Sequence, residues 1–218
     1  MLKKIIIAIA ILSMAGSLQA QQKKNYQLGI IAFYNLENLF DTINQPDVND
    51  EEFTPTGSNN YTAKVYLDKL GKLSDVLSLI GTDQSPDGFS ILGCAEVENE
   101  SVLRDLVNEP KLKARNLQIV HYDSPDKRGV DVGLLYNPKY FTPKFSEPLF
   151  IDLRTPENPE YYTRDILYVY GMYLGEPIHI LVGHWPSRRG LDTGHHAEEA
   201  KKLLHHHELR LLPFAKTK

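Results

Sequence analysis

The sequence has almost no cysteine, no excess of basic charge and no long apolar run. Cys94 is the only cysteine among 218 residues, which excludes an intrachain disulfide framework and every zinc or iron–sulfur site built from several thiolates. Lys and Arg number 24 against 28 Asp and Glu, a formal charge of −4. A passive nucleic-acid binder with a broad basic surface is thereby excluded, and any contact with a polyanion must be local. No stretch approaches the ~18 consecutive apolar residues of a membrane span, and internal repeats and low-complexity tracts are missing too. What is present is ordinary globular composition, 42% hydrophobic and 24% charged, at a length that suits one sizeable domain with a buried core.

The N-terminus has the order of an export signal. Lys3 and Lys4 precede the apolar run Ile5–Leu12, and Ser17-Leu18-Gln19-Ala20 ends on small residues before Gln21-Gln22-Lys23-Lys24. The apolar core is too short to span a bilayer comfortably. The expectation is a signal peptide over 1–20, cleaved after Ala20, and an exported protein, periplasmic or extracellular, with no membrane span left after cleavage. Loss of Lys3 and Lys4 leaves the chain more acidic still.

Hydrophobic patterning then divides the chain. Leu28–Tyr34 is a continuous β-branched and aromatic run, the mark of a buried strand ended by Asn35-Leu36-Glu37-Asn38. Asp41–Asn60 holds five acids, no Lys or Arg, two prolines and Gly57, and reads as a surface loop; it lacks the alternating-acid spacing of a calcium loop. Tyr61–Ile80 has Tyr66, Leu70, Leu73, Leu77 and Ile80 on one helical face. Further strands are expected at Phe89–Val97, Leu117–Tyr122, Val130–Tyr136, Ile166–Tyr173 and Ile178–His184, with helices at about Glu100–Val107 and His196–Leu211. This order suits an α/β (α+β) fold, a layered sandwich and not a parallel wound sheet. Cys94, inside a strand with no base motif beside it, reads as a small core residue.

Three polar groups stand at the ends of apolar strands: Asn35, Glu96 and His184. Strand ends present side chains into clefts, and a carboxylate there needs a partner. A carboxylate with an amide oxygen suits a hard divalent cation, beside which an imidazole can move a proton or steady a phosphoryl oxygen. A surface Glu and a satisfied core His explain the same residues without chemistry.

Four words then occur in order. They are Phe33-Tyr34-Asn35-Leu36-Glu37-Asn38-Leu39-Phe40-Asp41, Ala95-Glu96-Val97-Glu98-Asn99, Ser124-Pro125-Asp126-Lys127-Arg128-Gly129-Val130-Asp131-Val132, and Gly183-His184-Trp185-Pro186-Ser187-Arg188-Arg189-Gly190. Over about residues 28–190 they resemble the endonuclease/exonuclease/phosphatase superfamily of metal-dependent phosphoesterases, and its exported bacterial members most. The resemblance implies a four-layered α/β-sandwich of two mixed, mainly antiparallel sheets flanked by helices, with 21–218 as the N-terminal portion of that domain. It implies Mg²⁺ as cofactor, with Mn²⁺ or Ca²⁺ as alternatives. By position it gives Glu96 as metal ligand, Asn35 as a residue ordering metal and phosphate, and His184 as the catalytic histidine. Arg164, in Tyr162-Thr163-Arg164-Asp165-Ile166, matches an arginine that touches a substrate phosphate, for which a guanidinium fork is suited; a plain pair with a neighbouring acid is the alternative. Arg188, with Arg189 and Arg128, would form a confined basic rim for a phosphate. Glu98, Asn99 and Asp131 are explained as well by local hydrogen bonding.

The superfamily's Gly-Asp-x-Asn strand end and final Asp-His pair have no counterpart, since no Gly is followed by Asp and no Asp by His. The expectation is therefore a domain incomplete at its C-terminus. The activity implied is Mg²⁺-dependent hydrolysis of a phosphodiester, nucleic acid foremost, by a nuclease that uses water as nucleophile. A phospholipid or other phosphomonoester or diester esterase is the alternative within enzymes, and an inert fragment or binding module the alternative outside them; no obligate protein partner is evident. His195-His196 and His205-His206-His207 do not read as a metal tract, because consecutive helical residues point about 100° apart.

Overall fold

The computed structural model describes residues 27–185. The expected signal at 1–20, Arg188 and the expected helix at His196–Leu211 lie outside them. Seven strands form two sheets: β1 (Ile31–Leu39), β2 (Ile91–Val97), β3 (Gln118–His121), β4 (Asp131–Tyr136), β5 (Phe141–Leu149), β6 (Ile166–Tyr173) and β7 (Glu176–Val182). Sheet A runs in the order β1-β2-β4-β3, with β1 and β2 parallel and the remaining pairs antiparallel. Sheet B is the antiparallel meander β5-β6-β7. Three helices are described: α1 (Ala63–Leu79), α2 (Glu100–Val107) and the single turn α3 (Pro110–Lys113). No described helix is long and apolar enough to cross a membrane.

Strand alternation separates two cores. Leu92, Cys94 and Val97 of β2 face the helices, packing with Tyr66, Leu70, Leu73 and Leu77 of α1 and Val102, Leu103 and Leu106 of α2. Ile91 and Ala95 face the other way, with Val132 and Leu134 of β4, onto Phe141, Leu167, Val169 and Val182 of sheet B. The described residues thus supply a helical layer and two sheets of the expected sandwich. Caps set the helix starts: Thr62 accepts from the Val65 N–H, and Asn99 from the Val102 N–H at 3.1 Å. The local role expected of Asn99 is that cap. Cys94 is fully buried, and burial pushes its thiol up to about 12, so it is a core residue.

The surface loop expected at Asp41–Asn60 is present, and one strand was not expected. Asp41–Asn60 is irregular apart from a 3-10 turn at Glu51–Phe53, but it is pinned to the body: Phe53 stacks on Phe40 with ring centroids 4.0 Å apart, and Asn49 N–H donates to the Lys127 carbonyl at 2.6 Å. β5 was not expected. It carries Pro143 and Pro148 among polar residues, a pattern tolerated only because β5 is an edge strand with a register shift between Pro143 and Phe145.

Candidate functional site

The site forms where β1 and β2 of sheet A and β6 and β7 of sheet B end near one another. Both β1 and β2 reach it through an irregularity. In β1 the pairing with β2 slips between Asn35 and Leu39, and Glu37 and Asn38 are both left-handed, with φ of 55° and 58°. The Glu37 N–H donates to Asn35 Oδ1 at 2.7 Å, which fixes the amide. Lys69 of α1 donates to the Glu37 carbonyl, tying the bend to the helix; burial pulls the Lys69 ammonium down, against the charges of Glu37 and Glu96.

In β2 the irregularity decides where Glu96 points. Strict alternation would place it with Leu92 and Cys94, in the helical core. Instead Glu96 has φ 60°, and the pairing with β4 shifts between Ala95 and Val97. This bulge turns the carboxylate out and returns Val97 to the helical face. Glu96 Oε1 accepts from Asn35 Nδ2 at 2.9 Å and faces His184 Nε2 at 3.4 Å.

His184 follows β7. Its other nitrogen, Nδ1, is buried and has no hydrogen-bond partner among the described residues. Burial holds the imidazole below the ordinary histidine range; Arg164 and Arg128 push the same way, and Glu96 and Asp126 oppose them. The Arg164 Nε–H donates to the His184 carbonyl at 2.6 Å, and Nη1 pairs with Asp126 Oδ2 at 2.9 Å. Both side chains of that pair are nearly buried, 5% and 6% exposed. Asp126 Oδ1 accepts from the Arg128 N–H at 2.9 Å and faces its Nε at 3.3 Å.

Asn35, Glu96, His184 and Arg164 are thus brought to one place from both sheets. Arg164 pairs with Asp126, not with the adjacent Asp165. Its Nε and Nη1 are committed within the protein, so it positions the His184 backbone. Two participants, Asp126 and Lys69, had no role assigned from sequence. Asp126 lies inside one of the four words, but its partner is 38 residues away; Lys69 sits among ordinary polar helix residues and carries no such signal. Glu98 is buried beside the Asp41 N–H, which donates to its Oε2 at 2.5 Å. Glu96 and Asn35 offer hard oxygen donors that fit a divalent cation. Glu96 Oε2 makes no hydrogen bond among the described residues, and Asn35 Oδ1, bonded once, keeps a lone pair.

A carboxylate bonded by an amide thus stands beside an imidazole and a buried arginine where the two sheets meet. The sequence profile of the Endonuclease/Exonuclease/phosphatase family matches residues 30–207, and the chain belongs to that family. No curated protein matches the sequence. Among solved structures it is similar to an endonuclease/exonuclease/phosphatase family protein from Bacteroides thetaiotaomicron, at 17% identity and TM-score 0.49 over 86% of this chain and 57% of that one. It is similar to a mannosyl-6-phosphatase of the same organism at 17% identity and TM-score 0.49, covering 86% and 61%. A humanized D. rerio TDP2 gives 13% identity and TM-score 0.47, covering 86% and 56%. The chain spans between 56% and 61% of the length of these three structures.

Proposed function

We propose that the chain serves as an exported, Mg²⁺-dependent phosphodiester hydrolase of the nuclease type. The observation that carries this reading is the convergence of Asn35 and Glu96 from sheet A with His184 and Arg164 beside sheet B. Glu96, with Asn35 next to it, would hold the metal, which when bound polarises a phosphoryl oxygen and lowers the pKa of water. The remaining chemistry belongs to the chain. Asn35 fixes the carboxylate by its 2.9 Å bond to Oε1. His184, whose charged form burial and two arginines disfavour, donates a hydrogen bond to a phosphoryl oxygen or takes a proton from the attacking water. Arg164 anchors the His184 backbone and offers its remaining N–H donors to a phosphate, and Arg128 and Arg188 supply local positive charge that an acidic protein otherwise lacks. Export is supported by the order of basic, apolar and small residues over 1–20.

The test is Mg²⁺-dependent hydrolysis of DNA, RNA, phospholipid and bis-p-nitrophenyl phosphate by residues 21–218, alongside His184→Ala and Glu96→Ala. The reading expects nucleic-acid cleavage that both substitutions remove. Cleavage of lipid or small esters alone would replace the nuclease assignment, and no metal-dependent activity in any form would refute catalysis by this chain. Cell fractionation tests export separately, through recovery of a form beginning at Gln21.

A further inference from the structure

Sheet A ends on a second polar cluster that the site above does not use. β3 closes with His121, β4 opens with Asp131, and the loop between them carries Asp123 and Ser124. Ligand-capable atoms of His121, Asp123 and Asp131 lie within 4.8 Å of one another. Asp131 Oδ1 accepts from the Ser124 N–H at 3.0 Å and from its hydroxyl at 2.5 Å. That leaves Oδ2, which faces His121 Nε2 at 3.3 Å.

The two atoms form a buried contact whose geometry falls short of a full hydrogen bond. Nε2 is fully buried and makes no hydrogen bond of standard geometry among the described residues, in a side chain only 2% exposed. An imidazole nitrogen left so in the interior, aimed at a carboxylate oxygen, calls for a ligand. The spacing suits one: two donors 3.3 Å apart span an edge of the tetrahedron around an ion with bonds of about 2.0–2.1 Å. Asp123, 88% exposed, brings a third donor within 4.8 Å of a ligand atom on each of the other two residues, and with it a path from solvent. Asp165, just before β6, has a buried Oδ1 with no hydrogen-bond partner among the described residues, and its carboxyl is pushed up by burial and by the charge of Asp131. A cation at the cluster would relieve that repulsion.

We propose that His121, Asp123 and Asp131 form a second metal site, separate from Glu96, for a borderline dication, zinc above all. One imidazole and two carboxylates favour zinc over Mg²⁺ and Ca²⁺, which take oxygen donors alone. The metal would staple the loop between β3 and β4. That loop carries Asp126 and Arg128, so occupancy of this site would steady the pair that holds Arg164.

The test uses the full chain stripped of metal by a chelator and titrated with zinc chloride by calorimetry, with bound zinc counted by elemental analysis. Glu96→Gln is expected to keep the zinc. His121→Gln is expected to lose one equivalent, and Asp123→Ala to weaken binding about 100-fold or more, the upper end of what losing an outer-shell partner costs. The tail histidines are common to all variants and cancel in the comparison. If His121→Gln fails to fold, Asp123→Ala at its exposed position decides. An unchanged zinc constant in Asp123→Ala would establish His121 and Asp131 as a plain buried pair and overturn the proposal. Loss of the zinc in Glu96→Gln would overturn it too, by assigning the ion to the other site.

Discussion

Glu96 is aimed by a left-handed residue, and that geometry has a measurable cost. With φ at 60°, a side chain with a Cβ bears roughly 1–2 kcal/mol of strain that glycine does not. Glycine in turn loses about 0.4–1 kcal/mol relative to alanine through its freer unfolded chain. Glu96→Gly and Glu96→Ala both lose the carboxylate and its bond from Asn35, so those losses cancel between them. Glu96→Gly should therefore be the more stable of the two by about 0.5–1 kcal/mol. For a chain of this length each kcal/mol moves the melting temperature by about 2–4 °C, so the gap is about 1–4 °C in a thermal melt. Urea unfolding at one pH, fitted with a common slope, gives the same difference independently. Both variants should be inactive in the phosphodiester assay, so stability and activity part company at this residue. A glycine variant no more stable than the alanine one would refute the reasoning: the bulge would then hold no strain, and the aim of Glu96 would come from its partners alone.

Further outcomes follow from other contacts. Asp126→Ala leaves the buried guanidinium of Arg164 unpaired, so urea unfolding should show a loss of about 3–5 kcal/mol; Arg128→Ala, whose side chain is 58% exposed, should cost under about 1 kcal/mol. Burial and Asp131 push Asp165 up to about 6 from 3.8, so the folded protein keeps a proton that the unfolded chain releases. Stability from this group therefore falls as pH rises between those values, and Asp165→Asn, unfolded in chelator, should flatten that slope and gain about 2 kcal/mol at pH 7. A Cβ at Gly171 would lie 2.6 Å from the Thr142 carbonyl and from the Phe141 ring, so Gly171→Ala should cost about 1–3 kcal/mol by thermal melt.

The elements were legible where burial wrote a simple period. β1, β2, β4, β6 and β7 are apolar runs, and α1 shows its face in Tyr66, Leu70, Leu73 and Leu77. β5 was hidden because Pro143, Lys144, Glu147 and Pro148 break the pattern, and an edge strand can bear such residues. The site was legible to a different degree. Asn35, Glu96 and His184 stand out as polar groups ending apolar strands, and their meeting follows once the strands are placed. Their orientation does not follow: the strand period puts Glu96 among the core residues, and only the slip between Ala95 and Val97 turns it toward Asn35 and His184. Asp126 was obscure for a related reason. Its worth lies in a partner contributed by the entry to β6, which no local pattern announces. Periodicity therefore locates the strands, while bulges and long-range pairs assemble the site on them. Substitutions at Glu96 and Asp126 should consequently disturb function far more than their loop and strand-end positions suggest.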